Sequence, residues 1–259
     1  MKIIVMFPDY KGEGSAGGFI EKILGVVPDA IVVPVLNGLT ARGMDFISLE
    51  AERVEHCETV MAVSAKGLLS TLSMGYDTIL DWYGDDVVVV RLDTAEHPVS
   101  AIPLLVRKAV EIQGMVIGDL TFGEETLRSE SIDEFAHRDS FPELWRQYTG
   151  GRLALSGAYG FQVFAPGVLR NVYRFAQDIV REARTMTAEE IEWGFDGAMA
   201  LSAIGFEPPV VVEGVPAVTL RDRPRAKVAQ QFARALLMCR AAESLRHKQE
   251  VYRASLFGD

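Results

Sequence analysis

Cysteine is scarce. The 259 residues hold only Cys57 and Cys239, too few and too far apart for a disulfide framework or a cysteine metal centre, so the chain reads as cytoplasmic with both thiols reduced. Long apolar runs are missing as well. Pro8, Asp9 and Lys11 interrupt the apolar start before a leader could form. No run approaches the roughly 20 residues needed to cross a bilayer. The expectation is a soluble protein, at most peripheral to a membrane. Positive charge is in deficit: 26 Lys and Arg against 36 Asp and Glu give a net charge of −10, which excludes a general nucleic-acid binder. No Gly-Lys-Ser/Thr follows the glycine-rich loop PDYKGEGSAGGF, and its glycine spacing does not match a dinucleotide fingerprint. Internal repeats and low-complexity linkers are absent too.

What is present points to an α/β fold. Hydrophobic residues make up 49% and charged residues 24%, enough for a sizeable core in one large domain or two small ones. Apolar β-branched segments at Lys2–Phe7, Ala30–Leu36, Val60–Ala65, Val87–Leu92 and Gly114–Phe122 alternate with helical patterns at Phe19–Leu24, Arg42–Arg53, Lys66–Gly84 and Ile102–Gln113. That rhythm predicts a mainly parallel, doubly wound sheet with right-handed crossovers. The charged stretch Gly123–Phe141 breaks it and reads as a connecting region or partial lid. Beyond it the patterns predict a helix near Gly167–Phe175 and another over Ala188–Ala203, the latter capped by Thr187 with Glu190 completing a capping box. A last strand at Pro208–Leu220 and a long amphipathic helix at Arg225–Arg253 follow.

The segment VVVVRLDTAEHP, Val87–Pro98, holds most of the chemistry. Four consecutive valines form the pattern of a strand buried on both faces, and the strand stops at Asp93 with Glu96 and His97 close behind. Ligands of open α/β sheets bind at the carboxyl ends of the strands, and hard carboxylate oxygens there suit a divalent cation that also bridges phosphates. The other reading is that Asp93 and Glu96 cap a turn and the next helix. His97 is either a ligand or a turn residue. Arg221, Arg223, Arg225 and Lys227 form a dense basic cluster that either clamps a phosphate or balances nearby carboxylates. Asp196 lies in GFDGAM, otherwise small and apolar, as a buried carboxylate or on a solvated helix face.

The order KGLLSTLSMGYDTIL, VVVVRLDTAEHPVSAIPLLVRKA, GMVIGDLTF resembles the heart of the inverting family 2 glycosyltransferases of GT-A fold. The downstream segments SGAYGFQVFAPGVL and GFDGAMALSAIGFEPPVVVEGVPAVTLRDRPRAKV look most like the polyprenyl-phosphate mannose synthase branch. The resemblance covers roughly Ala65 to Val228 and implies a GT-A-like three-layer sandwich with a mainly parallel central sheet. Domain limits follow as 1–228 for the transferase domain and 229–259 for a helical extension packed on it or on a second subunit of a homodimer.

The same resemblance implies a nucleotide-sugar donor and a polyprenyl-phosphate or small-molecule acceptor, with Mg2+ or Mn2+ assisting. Residue by residue, it places the metal and diphosphate at Asp93 with Glu96. It places the acceptor-side base at Asp196, with Glu192 one helical turn earlier as second choice. Nucleotide contacts fall on Pro8, Tyr10, Asn37 and Lys66, and phosphate contacts on Arg221, Arg223 and Lys227. The chain departs from the family pattern at Ala95, where a second aspartate is expected, and at Asn37, where paired aspartates are expected. Two other functions therefore stand beside sugar transfer. One is a GT-A domain that binds a nucleotide or partner without turnover. The other is a nucleotidyltransferase, for which Lys11 in the glycine-rich loop is the pointer.

Overall fold

The computed structural model describes residues 1–10, 16–37, 60–62, 67–93, 97–121, 139–156, 160–187, 191, 194–205, 211–219 and 225–257. Its strands are β1 (Ile3–Tyr10), β2 (Ile31–Asn37), β3 (Val60–Ala62), β4 (Val88–Arg91), β5 (Met115–Thr121), β6 (Gln162–Phe164) and β7 (Val212–Thr219). Its α-helices are α1 (Ala16–Val26), α2 (Leu68–Tyr83), α3 (Ile102–Ile112), α4 (Phe141–Thr149), α5 (Leu169–Thr185), α6 (Phe195–Gly205) and α7 (Arg225–Phe257).

The strands form one seven-stranded sheet in the order β3-β2-β1-β4-β6-β5-β7. It is mainly parallel, as the alternation of elements predicts; β6 alone runs antiparallel to both its neighbours, β4 and β5. From β1 the chain goes first to β2 and β3 on one side and then to β4 on the other. Strand order therefore reverses between β1 and β4, which opens a crevice at their carboxyl ends.

The valine run supplies the centre of both cores. Val88, Val90 and Leu92 pack with Phe7, Ile20 and Leu105 under α1 and α3, while Val87 and Val89 pack with Tyr76, Phe164 and Val172 under α2 and α5. A strand covered on both faces gains from apolar side chains at every position, hence a run rather than an alternation. On the second face α5 packs on α6 and α7, and α7 also lies against α4.

Two expectations need correction. The helix expected over Ala188–Ala203 starts at Phe195. Gly194, just before it, has φ of 100°, a left-handed backbone that a helix cannot run through, and Ile191 is also non-helical. The long C-terminal helix extends past Arg253 to Phe257. An element the sequence reading does not place is α4, with Pro142 in its first turn and Trp145 fully buried. The segments expected to form a helix at Arg42–Arg53 and the bulk of the charged connector lie outside the described residues.

Candidate functional site

At the carboxyl end of β4 a charge enters the core. Arg91 pairs with Met6 of β1 on one side and Gln162 of β6 on the other, so its backbone is fixed from both directions. Side chains alternate along a strand; Arg91 therefore follows Val87 and Val89 onto the α2–α5 face, and Asp93 follows Arg91. The Arg91 side chain is 0% exposed, and a guanidinium at that depth requires counter-charge. Two carboxylates provide it. Arg91 Nη2 lies 2.6 Å from Asp93 Oδ1, and Nη1 lies 2.8 Å from Asp196 Oδ1. The second contact is short but off the N–H axis: Nη1, Nε and Asp196 Oδ1 have no directed hydrogen-bond partner among the described residues. It is a coulombic contact. Burial works against the Arg91 charge, but Asp196 and Asp93 outweigh it and keep the group protonated.

Asp196 reaches this point from the first turn of α6. Its backbone carbonyl accepts a hydrogen bond from Gln162 Nε2 at 3.0 Å, and Gln162 Oε1 accepts one from the Tyr76 hydroxyl at 3.5 Å. Tyr76 is fully buried against Phe164, Tyr173 and Phe195, and burial raises its pKa well above that of an ordinary phenol. The Asp196 carboxyl is pushed up to about 6, chiefly by burial, with Asp93 adding to the rise and Arg91 opposing it. Its side chain is 18% exposed; since Oδ1 is buried, that exposure belongs to its other atoms.

Asp93 is held on three sides. Arg91 takes Oδ1. The Asp93 backbone N–H donates to His97 Nδ1 at 2.9 Å, so that ring nitrogen carries a lone pair and the imidazole is the Nε2–H tautomer. The His97 ring stacks on Phe161 with centroids 5.2 Å apart. Behind Asp93 lies Gly160, where an added Cβ would run into Asp93 Oδ2 and come within 3.0 Å of His97 Cε1. His97 is thus tied to the backbone at the end of β4, a structural role rather than that of a free ligand.

Other expected residues gather on the same edge. Pro8 is buried in β1 opposite Val35, and Tyr10 and Asn37 pair in register at the carboxyl ends of β1 and β2. Lys227 falls in the first turn of α7. Lys66, Glu96, Glu192, Arg221 and Arg223 lie outside the described residues. Because α6 begins at Phe195, Asp196 has no preceding turn of that helix to carry Glu192 onto its face. Asp196 and Asp93, assigned separately from sequence, are brought together by Arg91, which the sequence reading passed over. Its signal was a cation directly after four valines. Asp119 was also missed. It lies near the carboxyl end of β5, on the face of Met115 and Ile117, and accepts from the Ser156 backbone N–H at 3.0 Å and from its hydroxyl at 3.3 Å.

Among the described residues, which do not include Glu96, a divalent cation finds few free donors. Asp93 offers one carboxylate, already paired with a buried cation, and His97 Nδ1 is occupied by a backbone N–H. Among the described residues no group of His, Cys, Asp and Glu has the makings of a metal site. No helix among them is long and apolar enough to cross a membrane.

No known family profile and no curated protein matches the chain. Solved structures do. Mannosyl-3-phosphoglycerate synthase from Rubrobacter xylanophilus superposes with a TM-score of 0.59 at 12% identity, over 96% of this chain and 75% of that one. Glucosyl-3-phosphoglycerate synthase from Mycobacterium tuberculosis, solved with Mn2+, uridine diphosphate and phosphoglyceric acid, superposes with a TM-score of 0.55 at 16% identity, over 92% and 78%. With its central mixed sheet, its strand-order reversal at β1/β4 and these neighbours, the chain has the GT-A glycosyltransferase fold.

Proposed function

We propose that the chain transfers a sugar from a nucleotide-sugar donor to an acceptor oxygen, with inversion, at the carboxyl edge of its sheet. The observation that carries this reading is the junction of Asp93 and Asp196 through Arg91 beside the β1/β4 crevice. Donor and acceptor of such a reaction must meet at one point, and one guanidinium contacts both of these carboxylates.

In the transfer, the acceptor oxygen attacks the anomeric carbon from the face opposite the diphosphate, and the bond to the diphosphate breaks as the new one forms. The acceptor proton goes to Asp196. Pushed up to about 6, its carboxyl is a better base near neutral pH than an ordinary aspartate. A phosphate acceptor such as a polyprenyl phosphate is already anionic and needs no base. Charge growing on the leaving diphosphate is met by cationic side chains, for which Arg221, Arg223 and Lys227 are the candidates, their forks and ammonium suited to phosphate. Pro8, Tyr10, Asn37 and Lys66 are the proposed nucleotide contacts. The domain is assigned to 1–228, with 229–259 as its helical extension.

The test is a thermal-shift panel of GDP, UDP, CMP, dTDP and their sugar conjugates, followed by an assay for nucleotide release in the presence of polyprenyl phosphate. A ligand at about 100 times its Kd stabilises by roughly 2.7 kcal/mol, several degrees for a chain of this size. Sugar transfer is supported when one nucleotide shifts the midpoint and Asp196→Asn lowers turnover by about 10²–10⁴-fold while keeping that shift. No shift with any nucleotide refutes it. A second reading, a GT-A domain that binds without turnover, draws on Ala95 and on the orientation of Asp196 Oδ1 toward Arg91; a nucleotide shift without release in any assay would establish it.

A further inference from the structure

The resemblance puts a divalent cation at the carboxyl end of β4, and there the structure has a cation of its own. Arg91 lies between two carboxylate oxygens, 2.6 Å from Asp93 Oδ1 and 2.8 Å from Asp196 Oδ1. Asp93 is the carboxylate that the resemblance assigns to that ion, and its Oδ1 is already taken by Arg91. We propose that Arg91 is the resident cation of this site, holding the Asp93 carboxylate that a divalent ion would need, so that the site takes up its nucleoside diphosphate without a metal. The metal-free binding of nucleotide rests on the reading under Proposed function; the occupation of the site by Arg91 does not.

Three observations converge. Arg91 is 0% exposed and its backbone is paired on both sides, with Met6 and with Gln162, so swinging the guanidinium aside would take it from both of its carboxylate contacts inside the core. Asp93 Oδ2, the oxygen Arg91 does not take, faces the Gly160 backbone so closely that not even a methyl group fits there. His97, the nearest neutral donor, spends its Nδ1 lone pair on the Asp93 N–H and is fixed by stacking on Phe161. Charge gives the reason. Asp93 and Asp196 by themselves would present two negative charges to an anionic nucleotide, the situation a dication relieves. With the guanidinium between them one of those charges is already cancelled, and a dication placed beside it would meet like-charge repulsion.

The experiment titrates the full-length chain with Mn2+ and follows the free-ion signal by electron paramagnetic resonance. Wild type is expected to leave the signal of free Mn2+ unchanged through the millimolar range. Saturable uptake of one ion per chain overturns the proposal. In parallel, GDP and UDP are titrated in EDTA and in Mn2+. Affinities that agree within about threefold support it, and a gain of about tenfold or more with Mn2+ overturns it. Arg91→Met leaves the two carboxylates facing each other and, if it keeps the wild-type circular dichroism, is expected to take up Mn2+ saturably; a folded Arg91→Met that takes none overturns the proposal. Should that variant fail to fold, the wild-type titration decides. Nucleotide that binds in neither buffer counts against sugar transfer, while the Mn2+ titration still decides the role of Arg91.

Discussion

Stability should fall as pH rises across the range in which Asp196 ionises, and Asp196→Asn should abolish that fall. The folded chain holds the Asp196 carboxyl at about 6, against 3.8 for an ordinary aspartate. Between about pH 4 and pH 6 the native state thus keeps a proton that the unfolded chain has released, and linkage makes stability decrease with rising pH. Above that window both states are ionised and the full penalty of the buried charge is present. A displacement of about two pKa units at about 1.36 kcal/mol each corresponds to roughly 3 kcal/mol. Asparagine cannot ionise, and in that variant Arg91 keeps Asp93 at 2.6 Å as counter-charge, so no buried guanidinium is stranded. The other displaced carboxyls, Asp77 and Asp85 raised by burial and Glu182 lowered by Lys248, are common to both proteins and cancel in the difference. Urea unfolding in a series of buffers should show Asp196→Asn gaining on wild type by about 3 kcal/mol from pH 4 to pH 7, equivalent to about 6–12 °C in Tm. Parallel curves for the two proteins would refute the reasoning, because they would mean that the carboxylate is as well solvated or as well paired folded as unfolded.

Other consequences follow from close contacts. Gly160→Ala drives a methyl into the Asp93 carboxylate and should push it off Arg91, at a cost of about 1–3 kcal/mol for the overpacking, since Asp196 stays at 2.8 Å as counter-charge; the loss reads as a lowered urea midpoint, and a midpoint equal to wild type would show that Asp93 has room to move. Gly194→Ala forces a side chain onto a backbone with φ of 100° and should lose about 1–3 kcal/mol, with the α6 helix and hence Asp196 displaced; unchanged thermal unfolding would contradict this. Lys248→Ala removes an ion pair to Glu182 of 2.7 Å whose lysine is 61% exposed, and should cost under about 1 kcal/mol. Ser244 still bonds Glu182 at 2.7 Å in that variant, so a loss of several kcal/mol by calorimetry would show a larger role for the pair in docking α7.

The strands of this fold are legible because their burial is written into local composition. Four valines in a row have one stable destination, a strand covered on both faces, and Asp93 at its end marks the carboxyl edge whatever the rest of the chain does. Gly-Phe-Asp-Gly in an apolar setting likewise marks Asp196 as unusual. Other features have no local signature. The antiparallel β6 between β4 and β5 depends on pairing partners distant in sequence, since three residues of Gln-Val-Phe carry no direction. The start of α6 is set by a left-handed glycine, whereas a capping-box pattern upstream satisfies the same local rules at an earlier position. The role of Arg91 is the clearest division. Its sequence neighbourhood supplies one counter-charge, Asp93 two residues on; the second, Asp196, comes from α6, and that helix meets the end of β4 only when the α2–α5 face of the sheet closes. Composition, in short runs, determined where the strands and the chemistry-bearing carboxylates lie. The pairing of Arg91 with Asp196 was decided by tertiary structure alone, because only packing brings the first turn of α6 to the end of β4.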